Sequence, residues 1–241
     1  MDDDEGRNSS AVVQVDVVPG PAPGPDTLRA VGIIDFRPRQ SKEAAAVAAV
    51  AFAEDPIWGH TLTDARRRRL PHTILLRAQL RTTQPSHTIR VAKHGGRIIG
   101  LAFWNVDGAT KPHESAAATD PRVLRAARTM MRRAGRDRHT LATMCTALAE
   151  SYPCDNGWFL GTLVVHPDHQ GTGVGSALLR DGLARADTNG QPVSLQTSTA
   201  KNVRFYERHG FEVTEMVDEI YPGAPPLWTM RRPAAAVGHQ A

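Results

Sequence analysis

The stretch that decides the fold is Trp158-Phe159-Leu160-Gly161-Thr162-Leu163-Val164-Val165-His166-Pro167-Asp168-His169-Gln170-Gly171-Thr172-Gly173-Val174-Gly175-Ser176-Ala177-Leu178-Leu179. Trp158 to Val165 is an apolar run without clean alternation, which predicts a strand buried on both faces. His166 to Gln170 reads as a turn. Ala177, Leu178 and Leu183 then put an apolar face on a helix from about Val174 to Ala186. Between strand and helix stand Gly171, Gly173 and Gly175. The lack of side chains there lets an anion approach the backbone N–H groups, and the helix N-terminus adds its positive dipole end. Gln170 to Ser176 therefore reads as an anion site suited to a diphosphate. A kinase-type phosphate loop is excluded, because no lysine follows Gly175. The dinucleotide fingerprint fails by one residue, since Ser176 stands where its last glycine belongs.

Outward from this turn the chain alternates strand and helix signals. Upstream, Val31 to Phe36 reads as a strand, and Ser41 as the N-cap of an alanine-rich helix over 44–53 that stops before Pro56. A second helix is expected over 64–81, with a restart at Pro71. Thr88 to Lys93 and Arg97 to Trp104 form a hairpin through His94-Gly95-Gly96. Asp120-Pro121 opens a helical stretch, broken at Gly135, that runs to about Ser151. Downstream, Val193 to Thr197 is a strand and Asn202 to His209 a short helix closed by Gly210. Phe211 to Val217 and Leu227 to Met230 supply the last strands.

The 241 residues suffice for one core of ordinary size, and the apolar share of 41% with 22% charged residues is that of a globular protein. Residues 1–26, acidic at the start and rich in proline and glycine, are expected to form a mobile tail, 27–232 a single domain, and 233–241 a second tail. No stretch of 18 apolar residues occurs and the N-terminus is acidic, so neither a membrane partner nor a secretory signal is expected; the expected location is the cytoplasm. Cys145 and Cys154 lack metal-ligand spacing and are expected to be inert thiols. The net charge of +4 is scattered, which argues against a nucleic-acid partner. Arg66 to Arg69 read as a solvated face. His166 and His169, separated on a turn with no third ligand, give no metal site. Trp58 and Trp104 fit either an acceptor pocket or the core.

Gln170-Gly171-Thr172-Gly173-Val174-Gly175 resembles the Gln/Arg-x-x-Gly-x-Gly/Ala signature of the GNAT acetyltransferase superfamily. A second block, Asn202-Val203-Arg204-Phe205-Tyr206-Glu207-Arg208-His209-Gly210-Phe211, resembles the later helix of that superfamily, in the right order and at the usual separation. Trp158-Phe159-Leu160, Pro167-Asp168-His169-Gln170, Leu195-Gln196-Thr197-Ser198 and Trp228-Thr229-Met230 are similar to the branch of puromycin N-acetyltransferase and its relatives. Ala51-Phe52-Ala53-Glu54-Asp55-Pro56 resembles that branch more faintly. Residues 105–151, where such proteins shape the acceptor pocket, carry no likeness.

The resemblance implies a mixed α/β (α+β) fold. Its central, mostly antiparallel sheet splays between the fourth and fifth strands, with helices on both faces. Acetyl-CoA, as co-substrate and without a metal, would enter that cleft. Its pantetheine would pair with the backbone of Leu163, Val164 and Val165, and its diphosphate would sit on the amides of Gln170, Gly171, Thr172, Gly173, Val174, Gly175 and Ser176. The Val165 amide would polarise the thioester carbonyl. Asn202 and Tyr206, four apart, share a helix face; Asn202 would hold the pantetheine, or serve only as an N-cap, and Tyr206 would protonate the departing thiolate, or serve only as a core aromatic. Glu54, Asp55 and Glu150 are the candidate bases. The expected reaction is direct attack by a primary amine of a small molecule, an antibiotic or natural-product intermediate. The alternatives are acetylation of a protein N-terminus or lysine, or non-catalytic sensing of acetyl-CoA. A monomer or homodimer is expected.

Overall fold

The computed structural model describes residues 31–82, 84–108, 118–153 and 156–235. The expected tail over 1–26, Cys154 and residues 236–241 of the second tail lie outside the described residues.

Seven strands form one sheet among the described residues: β1 (Gly32–Asp35), β2 (His87–His94), β3 (Arg97–Asn105), β4 (Trp158–Val165), β5 (Val193–Thr197), β6 (Glu212–Val217) and β7 (Leu227–Arg232), in the order β1-β2-β3-β4-β5-β7-β6. Every neighbouring pair is antiparallel except β4–β5. Gly95 and Gly96, both at positive φ, make the tight turn between β2 and β3. All eight residues of β4 are buried. Its poor alternation has a second cause besides this two-sided burial. Phe103 pairs with Thr162 and Trp104 with Leu160, so Gly161 is a bulge that resets the side-chain phase. Leu160 before it and Leu163 and Val165 after it join one apolar cluster, while Val164 joins the other.

Helices cover both faces, as the resemblance implies. On one face lie α1 (Ser41–Ala51), α2 (Pro56–Thr61), a π-helical stretch Pro71–Leu76 leading into α3 (Arg77–Gln79), α4 (Pro121–Ala134) and α5 (Arg138–Glu150). On the other lie α6 (Val174–Thr188) and α7 (Ala200–Glu207). Gly182 of α6 lies flat on Trp104, where an added Cβ would come within 2.1 Å of the indole Cζ2. The buried Arg90 guanidinium ties the sheet to α6, donating to Asp181 at 2.7 Å while pairing with Asp35.

Several local expectations change. Ser41 is the first residue of α1 rather than its cap, and Gln40 holds the cap position. The helix expected over 64–81 begins as turns through residue 69 and then widens into the π-helical stretch. Pro71 has no N–H to donate to the preceding turn, which disfavours a regular α-helix there. The four arginines are not simply a solvated face. Arg67 donates to the Ala134 carbonyl at 2.7 Å and Arg68 to the Leu62 carbonyl at 3.1 Å. Trp58 and Trp104 are both core residues, 3% and 0% exposed.

Candidate active site

The parallel contact between β4 and β5 is short. Only Trp158, Phe159 and Leu160 pair with Val193, Ser194 and Leu195. Beyond the Gly161 bulge β4 stays with β3, while Gln196 and Thr197 of β5 pair only with β7, so the sheet opens between Leu163–Val165 and the end of β5. The His166 N–H donates to the Ile99 carbonyl at 2.8 Å. Backbone polarity alternates along an antiparallel pair, so Val164 also bonds toward β3 while Leu163 and Val165 turn their N–H and C=O groups toward the opening. The Val165 carbonyl accepts the side chain of Gln170 at 3.0 Å. Gln170 thereby pins the start of the glycine turn to the end of β4.

A short 3-10 turn, Pro167–His169, carries the chain away from β4. Gly171 and Gly173 then adopt φ of 74° and 81°, a region open to glycine at little cost. Gly175 has no such need; it is buried in the first turn of α6. Thr172 donates to the His169 carbonyl at 2.6 Å and braces the loop. The N-cap of α6 is Gly173, which has no side-chain oxygen to satisfy the first helical amides. Among the described residues, none of the N–H groups from Gly171 to Ser176 donates to a backbone carbonyl. The first to do so is Ala177, bonded to Gly173. These six donors at a helix N-terminus fit a diphosphate without a side-chain cation. On the flank, His169 is held below the ordinary imidazole range, first by burial and then by His166, His94 and Arg97 nearby, against the opposing pull of Asp168.

The far side of the opening is built by α7 and by the α1–α2 junction. Thr199, not Asn202, caps α7: its side chain accepts the Asn202 N–H. Asn202 is buried and donates through Nδ2 to the Thr197 hydroxyl at 3.1 Å, so it reaches the end of β5. Tyr206, one turn on, has no exposed surface and packs edge-on against Phe205 and Phe211. Its burial brings it into the core cluster beneath β4 and β5.

Of the three candidate carboxylates, Glu54 and Glu150 are exposed and Asp55 is 2% exposed. Asp55 caps α2 by accepting the Trp58 N–H at 2.9 Å, and its other oxygen accepts the Ser198 hydroxyl at 3.4 Å, just past β5. Beside it, the Tyr221 and Thr61 hydroxyls share a hydrogen bond of 2.8 Å. Burial pushes the Tyr221 phenol up; the bond with Thr61 opposes this, and the negative charge of Asp55 adds to the rise. No local sequence pattern marks Thr61 or Ser198 as neighbours of Asp55. Tyr221-Pro222-Gly223, an aromatic inside a turn, was the available signal. Among the described residues, no cluster of three or more His, Cys, Asp or Glu side chains could hold a metal ion, and no helix is long and apolar enough to cross a membrane.

Residues 136–213, which span α5, the opening, the glycine turn and α7, match the family model of the acetyltransferase (GNAT) domain. The fold is that of the GNAT acetyltransferases. Among solved structures, the chain is similar to a histone acetyltransferase HPA2 and related acetyltransferase of Corynebacterium glutamicum, with 22% identity and a TM-score of 0.59 over 86% of this chain and 97% of that one. It is also similar to the ribosomal-protein alanine N-acetyltransferase of Escherichia coli, with 16% identity and a TM-score of 0.50 over 88% and 98% of the two chains. An agmatine N-acetyltransferase aligns with 13% identity and a TM-score of 0.53 over 84% and 98%. These GNAT neighbours share the fold and, by their descriptions, differ in acceptor.

Proposed function

We propose that the protein is an acetyl-CoA-dependent N-acetyltransferase acting on a primary amine of a small molecule. The observation that carries this reading is the pair of features meeting at one place: unpaired amides from Gly171 to Ser176, and strands that part beyond Gly161. The amides suit the CoA diphosphate, and the outward-facing backbone of Leu163 and Val165 suits pantetheine as a partial extra strand. The bound thioester supplies an activated acetyl group, so the protein's tasks are positioning, charge stabilisation and proton transfer.

The Val165 N–H donates to the carbonyl oxygen as negative charge builds there. The amine nitrogen attacks the carbonyl carbon, and a C–N bond forms while the C–S bond breaks. Asp55 takes a proton from the attacking nitrogen, whose acidity rises as it bonds to carbon. Asp55 is preferred over the exposed Glu54 and Glu150 because it is buried beside Ser198 at the end of β5. Tyr206 delivers its phenolic proton to the leaving sulfur and regains one, as Asp55 gives one up, once the products leave. Asn202 orients the pantetheine arm. Tyr221 and Thr61 line the acceptor end, where a buried aromatic and two hydroxyls suit a small amine. The likeness of the segment from Trp158 onward to puromycin N-acetyltransferase and its relatives points the same way.

The test is thiol release from acetyl-CoA across a panel of small amines, including aminonucleosides, alongside peptides with free N-termini and lysines. Thiol release dependent on one small amine, with the acetylated amine found by mass, supports the reading. Turnover only with peptides moves the acceptor to protein, and cofactor binding without any turnover makes the protein a sensor. Tyr206→Phe and Asp55→Asn should each lower kcat by about a hundredfold while leaving CoA affinity near that of the wild type.

A further inference from the structure

Away from the cleft, the π-helical stretch, α3 and α4 flank a groove, open to solvent, of about 550 Å³ whose charged lining is four arginines, Arg77 half-buried and Arg81, Arg122 and Arg133 exposed. Helical spacing builds it from two facing rows. Thr73, Arg77 and Arg81 recur every four residues, and Arg122, Thr129 and Arg133 lie seven and then four apart. Among the described residues, no carboxylate lines the groove and none of the four guanidinium groups is in an ion pair. The Nε of Arg77 is also buried without a hydrogen-bond partner. Like charges brought together in a concavity repel one another, and a buried unpaired donor is costly. Both costs are relieved by the same ligand, an anion with several charges in a row. The volume is that of a small-molecule site, and guanidinium forks match phosphate oxygens in pairs.

We propose that this groove is a second binding site, for a small ligand carrying a chain of two or more phosphates. It shares no residue with the glycine turn or the strand opening and does not depend on the acetyltransferase reading.

The test is calorimetric titration of the full chain with inorganic tripolyphosphate at low and moderate salt, with ATP as a second probe. Saturable binding that weakens as salt rises is expected. The double variant Arg77→Gln/Arg133→Gln should lose about tenfold or more in affinity. Arg128→Gln, exposed on α4 but outside the groove, should stay within about twofold of the wild type. Circular dichroism melting checks that each variant is folded. Equal binding of both probes assigns the site to the phosphate chain, and tighter binding of ATP assigns it to a nucleotide; either supports the proposal. Absence of tripolyphosphate binding, displacement of the probe by CoA, or an equal loss in Arg128→Gln would overturn it. So would tighter binding of single-stranded RNA that Arg128→Gln weakens as much as the double variant does.

Discussion

The two faces of the sheet carry their chemistry differently. On the α6 side, the backbone does the work: six amides around Gly171 and Gly173, a bulge at Gly161 and the outward-facing backbone of Val165 form the opening. On the face covered by α1 to α5, side chains do it. Asp55 and Thr61 there meet Ser198 and Tyr221 from distant parts of the chain, and arginines from two helices converge on one groove. A site built from backbone shows in the sequence as glycines at fixed spacing. A site built from side chains appears only once the helices pack.

This contrast can be broken or sharpened by experiment, the largest effect being pH-dependent. His72 lies buried on the side-chain face, stacked on Phe52, and burial lowers its pKa to about 3. The folded state thus resists protonation that the unfolded chain accepts near pH 6.5. Stability from this group is fully present above pH 6.5 and is lost as pH falls toward 3, by up to roughly 5 kcal/mol. Urea unfolding of the wild type and His72→Leu across that window checks it: the variant's stability should fall less steeply. Equal slopes would remove His72 as a source of acid sensitivity.

On the opposite face the largest expected effect is steric. Gly182→Ala drives a methyl into the Trp104 indole and should cost about 3 kcal/mol in unfolding free energy, since the backbone of α6 and the ring are both packed. A near-neutral result would mean that α6 can shift off the sheet. Gly173→Val tests the loop itself. At φ 81° a β-branched residue is strained, and CoA affinity should fall about tenfold while the fold survives. The smallest effect concerns Cys145, whose thiol burial pushes up to about 12. In the native protein it should react with an aromatic disulfide reagent only as fast as the chain unfolds, a rate that thiol titration with and without urea measures.

Much of the fold was legible because its signals were local. The β2–β3 hairpin stood out through Gly95 and Gly96, β4 and β5 through apolar runs, and the break between α4 and α5 through Gly135. The π-helical widening after Pro71 was not, because a helical pattern does not reveal how a missing N–H is accommodated. At the candidate site, the glycine turn and the Asn202–Tyr206 helix face were readable as local patterns, but three carboxylates looked alike. Only packing separates Asp55, tied to Ser198 across 143 residues of chain, from Glu54 one residue earlier and exposed. Arg77 and Arg133 likewise read as scattered surface charge until the π-helical stretch and α4 bring them together.

The account rests on the main-chain amides at the parted strands, and amide NMR of the uniformly labelled chain titrated with CoA tests it most directly. The signals of Val165 and of Gly171 through Ser176 should shift together to saturation, while those of Arg77 and Arg133 stay in place. Saturation that moves amides elsewhere, or leaves those of the glycine turn unmoved, would contradict it.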